Sequence, residues 1–298
     1  VILVTAAVAV FVGTMYPLVL DAFGLGKISV GRPYFDSMFT LIAVPLMLLL
    51  GFGPALRWKG DDAKRVFKSL QGLFIISLAV GMVLPFVIDG ALHIGAGLGL
   101  AAALWVAITT LKSLFDRLRS SSRLPLAFTG MILAHLGMAM FVAGVTMVMS
   151  YEQEKDLRMA PGSTYEMSGY EFRFLGTRVV QGPNYVADEG RIEVYKNGEL
   201  INELNPQKRI YNDQNNPMTE ASIDAGLMRD LYSALGEPLD DEGAWSMRLY
   251  YKPMIRWIWL GCIFMTFGGV LAISDRRYRR ARVKNTAKEI PVQVVPQT

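Results

Sequence analysis

The chain has 298 residues, 52% of them hydrophobic, and a formal net charge of +4. That is too apolar for an ordinary water-soluble domain, and the small basic excess, gathered in short loops, points to membrane topology and away from a nucleic-acid partner. The single cysteine, Cys262, excludes an intrachain disulfide and a CxxC redox pair.

The hydrophobicity is segregated along the chain. Residues 1–150 and 254–273 are nearly continuous apolar runs, whereas 151–253 has the composition of a globular domain. The fold class expected is an α-helical polytopic membrane protein with about six transmembrane helices and one inserted small β-rich domain. Val1 already lies in an apolar run, with no basic n-region or cleavage site. This start reads as an internal cut in something longer, not as a signal peptide.

In chain order, spans are expected over 1–20, 38–56, 70–88, 91–111, 124–150 and 254–273. Each is about 20 residues, enough at 1.5 Å per residue for a hydrocarbon core of roughly 30 Å. Pro45 predicts a kink in the second span. Loops 57–69 and 112–123 and the tail 274–298 are rich in Lys and Arg. The loop 21–37 has only Lys27 and Arg32, and the turn at Asp89 has none. The positive-inside rule then puts the basic segments and both chain ends in the cytoplasm. In a bacterium that would be the inner membrane, with 151–253 in the periplasm. Tyr250, Tyr251, Trp257 and Trp259 fall where an outer aromatic belt belongs. The polar tail, with Pro291 and Pro296, is expected to be disordered.

Within 151–253, alternation over 171–175 and two alternating runs joined by Asn197-Gly198 predict strands and a type I′ hairpin. Further strands are expected at 207–211 and 245–252. The stretch 224–235 reads equally as a strand end or a short helix. The domain is therefore a small barrel or sandwich. It contains no His and no Cys, and its carboxylates are scattered, so it is expected to be structural or to dock partners.

The chemistry concentrates in the fifth span. His135 lies near mid-depth, about eleven residues from the cytoplasmic end, where an ionisable side chain is costly and functional by default. An imidazole there could be a haem-iron ligand, a proton relay or an interhelical hydrogen bond. Gly130, Gly137 and Gly144 are seven apart and share one face, suited to close helix packing. His135 lies on nearly the opposite face from Gly137. The only other histidine, His93, sits at the outer end of the fourth span. Its depth differs from that of His135 by roughly 10 Å, which disfavours a haem clamped between the two. A second axial ligand must then come from elsewhere. In the first outer loop, Lys27, Arg32, Tyr34 and Phe35 place cations and aromatics where a planar dianion such as haem could rest.

Four strings, in order, carry a family resemblance: YPLVLDAFGLGKISVGRPYFDSMF (16–39), ILAHLGMAMFVAG (132–144), MTEASIDAGLMRDLYSALGE (218–237) and MRLYYKPMIRWIWLG (247–261). They resemble the C-terminal part of the CcmF family, the haem-lyase subunits of bacterial cytochrome c maturation, and also its nitrite-reductase-assembly paralogues. The resemblance implies attachment of haem from a periplasmic haem chaperone to the CxxCH thiols of an apocytochrome c held by partner subunits. It also implies an intramembrane haem b between two transmembrane histidines, the second matching His135. The tryptophan-rich haem segment, its flanking histidines and the first transmembrane histidine belong to the family's N-terminal half and are not found here. This chain is then expected to work with that half, in one protein or as a separate subunit, and not to be a competent lyase alone. Arg32 departs from the family string, which tends to have proline there. A reading from a different class is a non-enzymatic membrane scaffold or sensor that presents the β domain to protein partners. A transporter, suggested by Pro45 and the glycine-rich spans, is weakened by the lack of a second clear mid-membrane ionisable group.

Overall fold

A computed structural model of the protein describes residues 1–56, 62–120, 124–212 and 216–275. Arg57, Lys59, Arg123 and the expected disordered tail beyond Asp275 lie outside the described residues. Six long apolar helices are present, α1 (Ile2–Ala22), α2 (Arg32–Phe52, continued by a 3-10 turn at Gly53–Ala55), α3 (Ala63–Asp89), α4 (Ile94–Ser120), α5 (Leu126–Tyr151) and α6 (Ile255–Ser274). The protein is a helical membrane protein with an inserted β domain.

Helix ends differ from the sequence expectation: α3 begins at Ala63, inside the expected loop 57–69, so Lys64, Arg65 and Lys68 stand on a helix. α2 begins at Arg32, inside the expected loop 21–37, with Pro33 in its first turn. A proline there gives up no helical hydrogen bond and has its φ already set. Arg32, Tyr34 and Phe35 therefore stand on a helix. α4 runs on to Ser120, so Lys112, Arg117 and Arg119 belong to a helix and not to a loop. Hydropathy marks where oil stops, whereas a helix stops where its backbone loses partners.

The helices differ in how much of their surface the fold covers. Half of the most apolar window of α4 is buried, against 6% of that of α1. α4 is thus the central helix of the α1–α4 group, and α1 is the most exposed of the four. α3 and α4 form a tight antiparallel pair. A Cβ on Gly81 would lie 2.4 Å from the backbone nitrogen of Ala101, so only glycine permits this approach. Gly90, at φ 75°, ends α3 and its N–H bonds Phe86 O. The N-terminus of α5 is capped from far along the chain, where Asp275 Oδ2 accepts the Ala127 N–H at 3.0 Å.

The β domain is a sandwich, resolving the barrel-or-sandwich alternative. Its strands are β1 (Gln153–Met159), β2 (Thr164–Met167), β3 (Tyr170–Gln181), β4 (Tyr185–Lys196), β5 (Glu199–Leu204), β6 (Gln207–Tyr211), β7 (Met218–Glu220), β8 (Ser222–Ala225), β9 (Arg229–Pro238) and β10 (Trp245–Pro253). One sheet has the order β1-β10-β9-β8. The other has β2-β3-β4-β6-β7, with β5 also on β4. Both hairpin residues Asn197 and Gly198 have positive φ, as a type I′ turn requires. The ambiguous stretch 224–235 is the end of β8, a turn and most of β9. Leu231, Ser233 and Leu235 are fully buried at every second residue, and that period of two selects a strand. Phe172, Phe174, Ile192, Val194, Met247 and Leu249 complete a dry core between the sheets.

Carboxylates tie this domain to its cations. The hydrogen bond from Arg248 holds the Asp156 carboxyl below its usual range. The Ala244 N–H and then Arg158 do the same for Asp240. Burial would raise Glu189, but hydrogen bonds from Gln207 and Arg178 bring it below the ordinary value. Folded pKa values below the unfolded ones stabilise the domain at pH above about 4, and that stability is lost as pH falls through the folded values. Hydrogen exchange of β3 and β4 is therefore expected to be faster at pH 3 than at pH 6 after correction for intrinsic rates. Unchanged protection would contradict these assignments.

Candidate functional site

His135 is the tenth residue of α5 and is half-buried. Its Nδ1 lies 2.9 Å from the Met131 carbonyl oxygen one turn earlier. A carbonyl only accepts, so Nδ1 carries the proton and donates, and Nε2 keeps its lone pair. Nε2 lies near the end of α2, where a Cβ built on Gly53 would be 4.0 Å away. The tautomer and ring orientation are thus fixed by the helix itself, and among the described residues the Nε2 lone pair is not taken up by a hydrogen bond.

Two packings hold the ring in place. On its own side, Ala139 joins a buried cluster with Met47, Val66, Leu70, Trp105 and Val106, and Met138 and Val142 pack against it. Trp105 keys this cluster. Its ring fills the notch at Gly51, its Nε1 donates to Leu48 O at 3.2 Å, and Phe52 and Phe74 meet it edge-on. This fixes the last turn of α2, and with it Gly53. On the other side, the glycines of α5 meet α6 in antiparallel register. Gly130 faces Gly268, and Gly137 faces Gly261. A Cβ on Gly137 would lie 2.7 Å from Gly261 O and 2.8 Å from Met265 N. Gly144 abuts Ile258 in the same way. The helical phase in the sequence separates these two faces of α5, but it does not mark Gly261, Gly268, Gly51 or Trp105 as their partners. The seven-residue spacing of Gly261 and Gly268 was a usable signal; nothing in the sequence pairs Gly51 with Trp105.

The residues of the loop expected outside serve several ends. Tyr34 Oη donates to Ala9 O at 3.0 Å, and the Tyr34 and Phe35 rings wedge against Gly13 of α1. Tyr34 also lines an open groove of about 620 Å³ with Val12, Tyr16, Val30 and Pro33. Arg32 pairs with Asp36 at 3.4 Å, and Lys27 is exposed. His93 Nε2 lies 2.7 Å from Asp89 Oδ2 at the α3–α4 turn, half-exposed. Among the described residues, no three His, Cys, Asp or Glu side chains gather where they could hold a bare metal ion. One open imidazole nitrogen in an apolar setting instead fits a single axial contact to the iron of a haem.

Comparison with known proteins agrees with this architecture. Residues 150–253 match a family model described as the CcmF C-terminal beta-sandwich. A cytochrome c-type biogenesis protein CcmF from Escherichia coli is 40% identical over 97% of this chain and 45% of its own length. One from Pseudomonas aeruginosa is 41% identical over 95% of this chain and 44% of its own. NrfE from Haemophilus influenzae, also a cytochrome c-type biogenesis protein, is 33% identical over 95% of this chain and 44% of its own. A solved structure of a cytochrome c haem lyase CcmF shares the fold, with a TM-score of 0.71 at 20% identity over 92% of this chain and 44% of that one. The chain spans less than half the length of these relatives. Over the part of those proteins that includes the C-terminal β-sandwich, the chain belongs to the CcmF family of cytochrome c-type biogenesis proteins.

Proposed function

We propose that this chain is the part of a cytochrome c haem lyase that lends His135 as one axial ligand to a haem b inside the membrane. With the tryptophan-rich half of the family's length, it would help attach haem from a periplasmic haem chaperone to the CxxCH thiols of apocytochrome c. The observation that carries the reading is the state of His135: Nδ1 is committed to Met131 O, and Nε2 is open beside Gly53, which has no side chain to cover it.

When bound, such a haem supplies a one-electron carrier in the membrane. The chain's own residues set its surroundings. Met131 O orients the imidazole and keeps the proton off Nε2. Met138, Ala139 and Val142 form an apolar wall on the same helix, and the cluster around Trp105 keeps water from that side. A second ligand to the iron would come from outside this chain, since His93 pairs with Asp89 at the α3–α4 turn. Lys27 and Arg32 stand at the opposite end of α2 from Gly53, roughly 30 Å away, so they would meet the propionates of a haem in transfer and not those of a haem held by His135. The uneven distribution of Lys and Arg supports an inner-membrane protein with residues 151–253 in the periplasm, where that domain docks the subunits holding the apocytochrome.

The test is a dithionite-reduced spectrum of the protein purified together with the rest of the family's length. Wild type is expected to show a b-type α-band, and His135→Ala to lose most of it at equal protein. A band that persists in the variant overturns the ligand assignment. A wild-type protein without pigment favours the scaffold reading instead.

A further inference from the structure

Residues 226–228, the turn between β8 and β9, expose two large apolar side chains. Leu227 is 56% exposed and Met228 58%. Their place is fixed by the backbone. The Met254 N–H donates to Met228 O at 2.8 Å, and Met254 immediately precedes α6. The ladder continues inward from there, with Pro253 opposite Arg229 and Lys252 opposite Asp230. Arg256, in the first turn of α6, bonds Asp230 Oδ1 at 3.1 Å, and Asp230 Oδ1 also accepts the Gly226 N–H at 3.0 Å. The turn and the start of α6 are therefore one hydrogen-bonded piece.

Length sets where that piece sits in a bilayer. α6 has 20 residues, or about 30 Å at 1.5 Å each, which equals the hydrocarbon core with nothing to spare. Its first residues must then lie at the hydrocarbon edge. The turn bonded to Met254 lies at that same level, and Trp259, one turn further along α6, is 69% exposed.

We propose that Leu227 and Met228 insert into the headgroup–acyl boundary of the membrane, as a wedge that fastens the β domain to the lipid surface. The attachment is hydrophobic. Nearby charges are largely balanced within the protein: Arg229 with Asp224, Arg256 with Asp230, and Lys252 with Glu152. Selection for anionic lipid is therefore not expected, nor is release by salt.

The test uses the full chain with Cys262→Ser and a single NBD label at Leu227→Cys or Met228→Cys. Each variant is reconstituted in vesicles of phosphatidylcholine alone, and of phosphatidylcholine with phosphatidylglycerol. Asn197→Cys, at the exposed β4–β5 turn, serves as the aqueous control. Labels at 227 and 228 are expected to be quenched by lipids with a nitroxide high on the acyl chain, and to be several-fold less accessible to iodide than label 197. This should hold in both lipids and at high salt. Iodide access equal to that of label 197 overturns the proposal. So does protection from iodide without nitroxide quenching, which would mean a protein covers the turn. A requirement for phosphatidylglycerol overturns its hydrophobic basis. Two separate label sites keep one poorly folded variant from deciding the result.

Discussion

Gly137→Leu is expected to unfasten α5 from α6 and to lower the thermal midpoint of the detergent-solubilised protein by roughly 5–10 °C. The reason is that there is nowhere for the new side chain to go. The first added carbon would meet Gly261 O, Met265 N and the Phe264 Cβ, all under 3.0 Å away. Two of these are backbone atoms of a membrane helix, so relief requires the helices to part. In lipid, association of helices relies on this close packing, because leaving water provides no driving force there. The overpacking penalty should lie at or above the upper end of about 1–3 kcal/mol. Gly72→Leu is the control. A Cβ at Gly72 meets nothing within 4 Å, so that variant should keep the wild-type midpoint. Equal midpoints for all three proteins would show that the seam does not hold these helices together.

The second large effect is expected from Gly51→Leu. A Cβ there would lie 1.9 Å from Trp105 Nε1 and 2.2 Å from Cε2, inside the indole itself. Trp105 is 2% exposed, edge-on to Phe52 and Phe74, and its N–H is committed to Leu48 O. Expelling it would open a cavity in the cluster that contains Ala139, one turn from His135. Destabilisation of about 3 kcal/mol is the expected scale, combining a lost large side chain with steric strain. The more telling readout is local. Displacing the last turn of α2 moves Gly53 away from His135 Nε2, so the haem spectrum should broaden or weaken even in protein that remains folded. Retention of both stability and spectrum would show that the position of Gly53 is irrelevant to the site.

Much of the membrane part was legible in the sequence, because a bilayer allows few solutions. Apolar runs of span length are helices, and their number and order followed directly. Their ends were less legible. Pro33 starts α2 within a stretch that hydropathy reads as loop, and α4 continues through Lys112 and Arg117 because an amphipathic turn is stable beyond the lipid. The sandwich was half legible. Asn197-Gly198 announced its hairpin through turn chemistry. The short strands β2, β7 and β8 carry weak period-two signals and depend on their neighbours for pairing. At the site, the histidine was conspicuous because an imidazole in a membrane stands out. Its supports were not. That Met131 O would fix the tautomer depends on a rotamer, and that Trp105 would fill Gly51 depends on a contact between residues far apart in sequence.

The central claim is that His135 offers an open Nε2 to a haem iron. Its most direct measurement is the reduced spectrum of His135→Gly, purified with the rest of the family's length, before and after adding imidazole. A small ligand entering the space vacated by the side chain can replace the lost nitrogen without altering the helix. Loss of the b-type α-band in the variant and its return with imidazole are the expected result. A full band in His135→Gly without imidazole would contradict it.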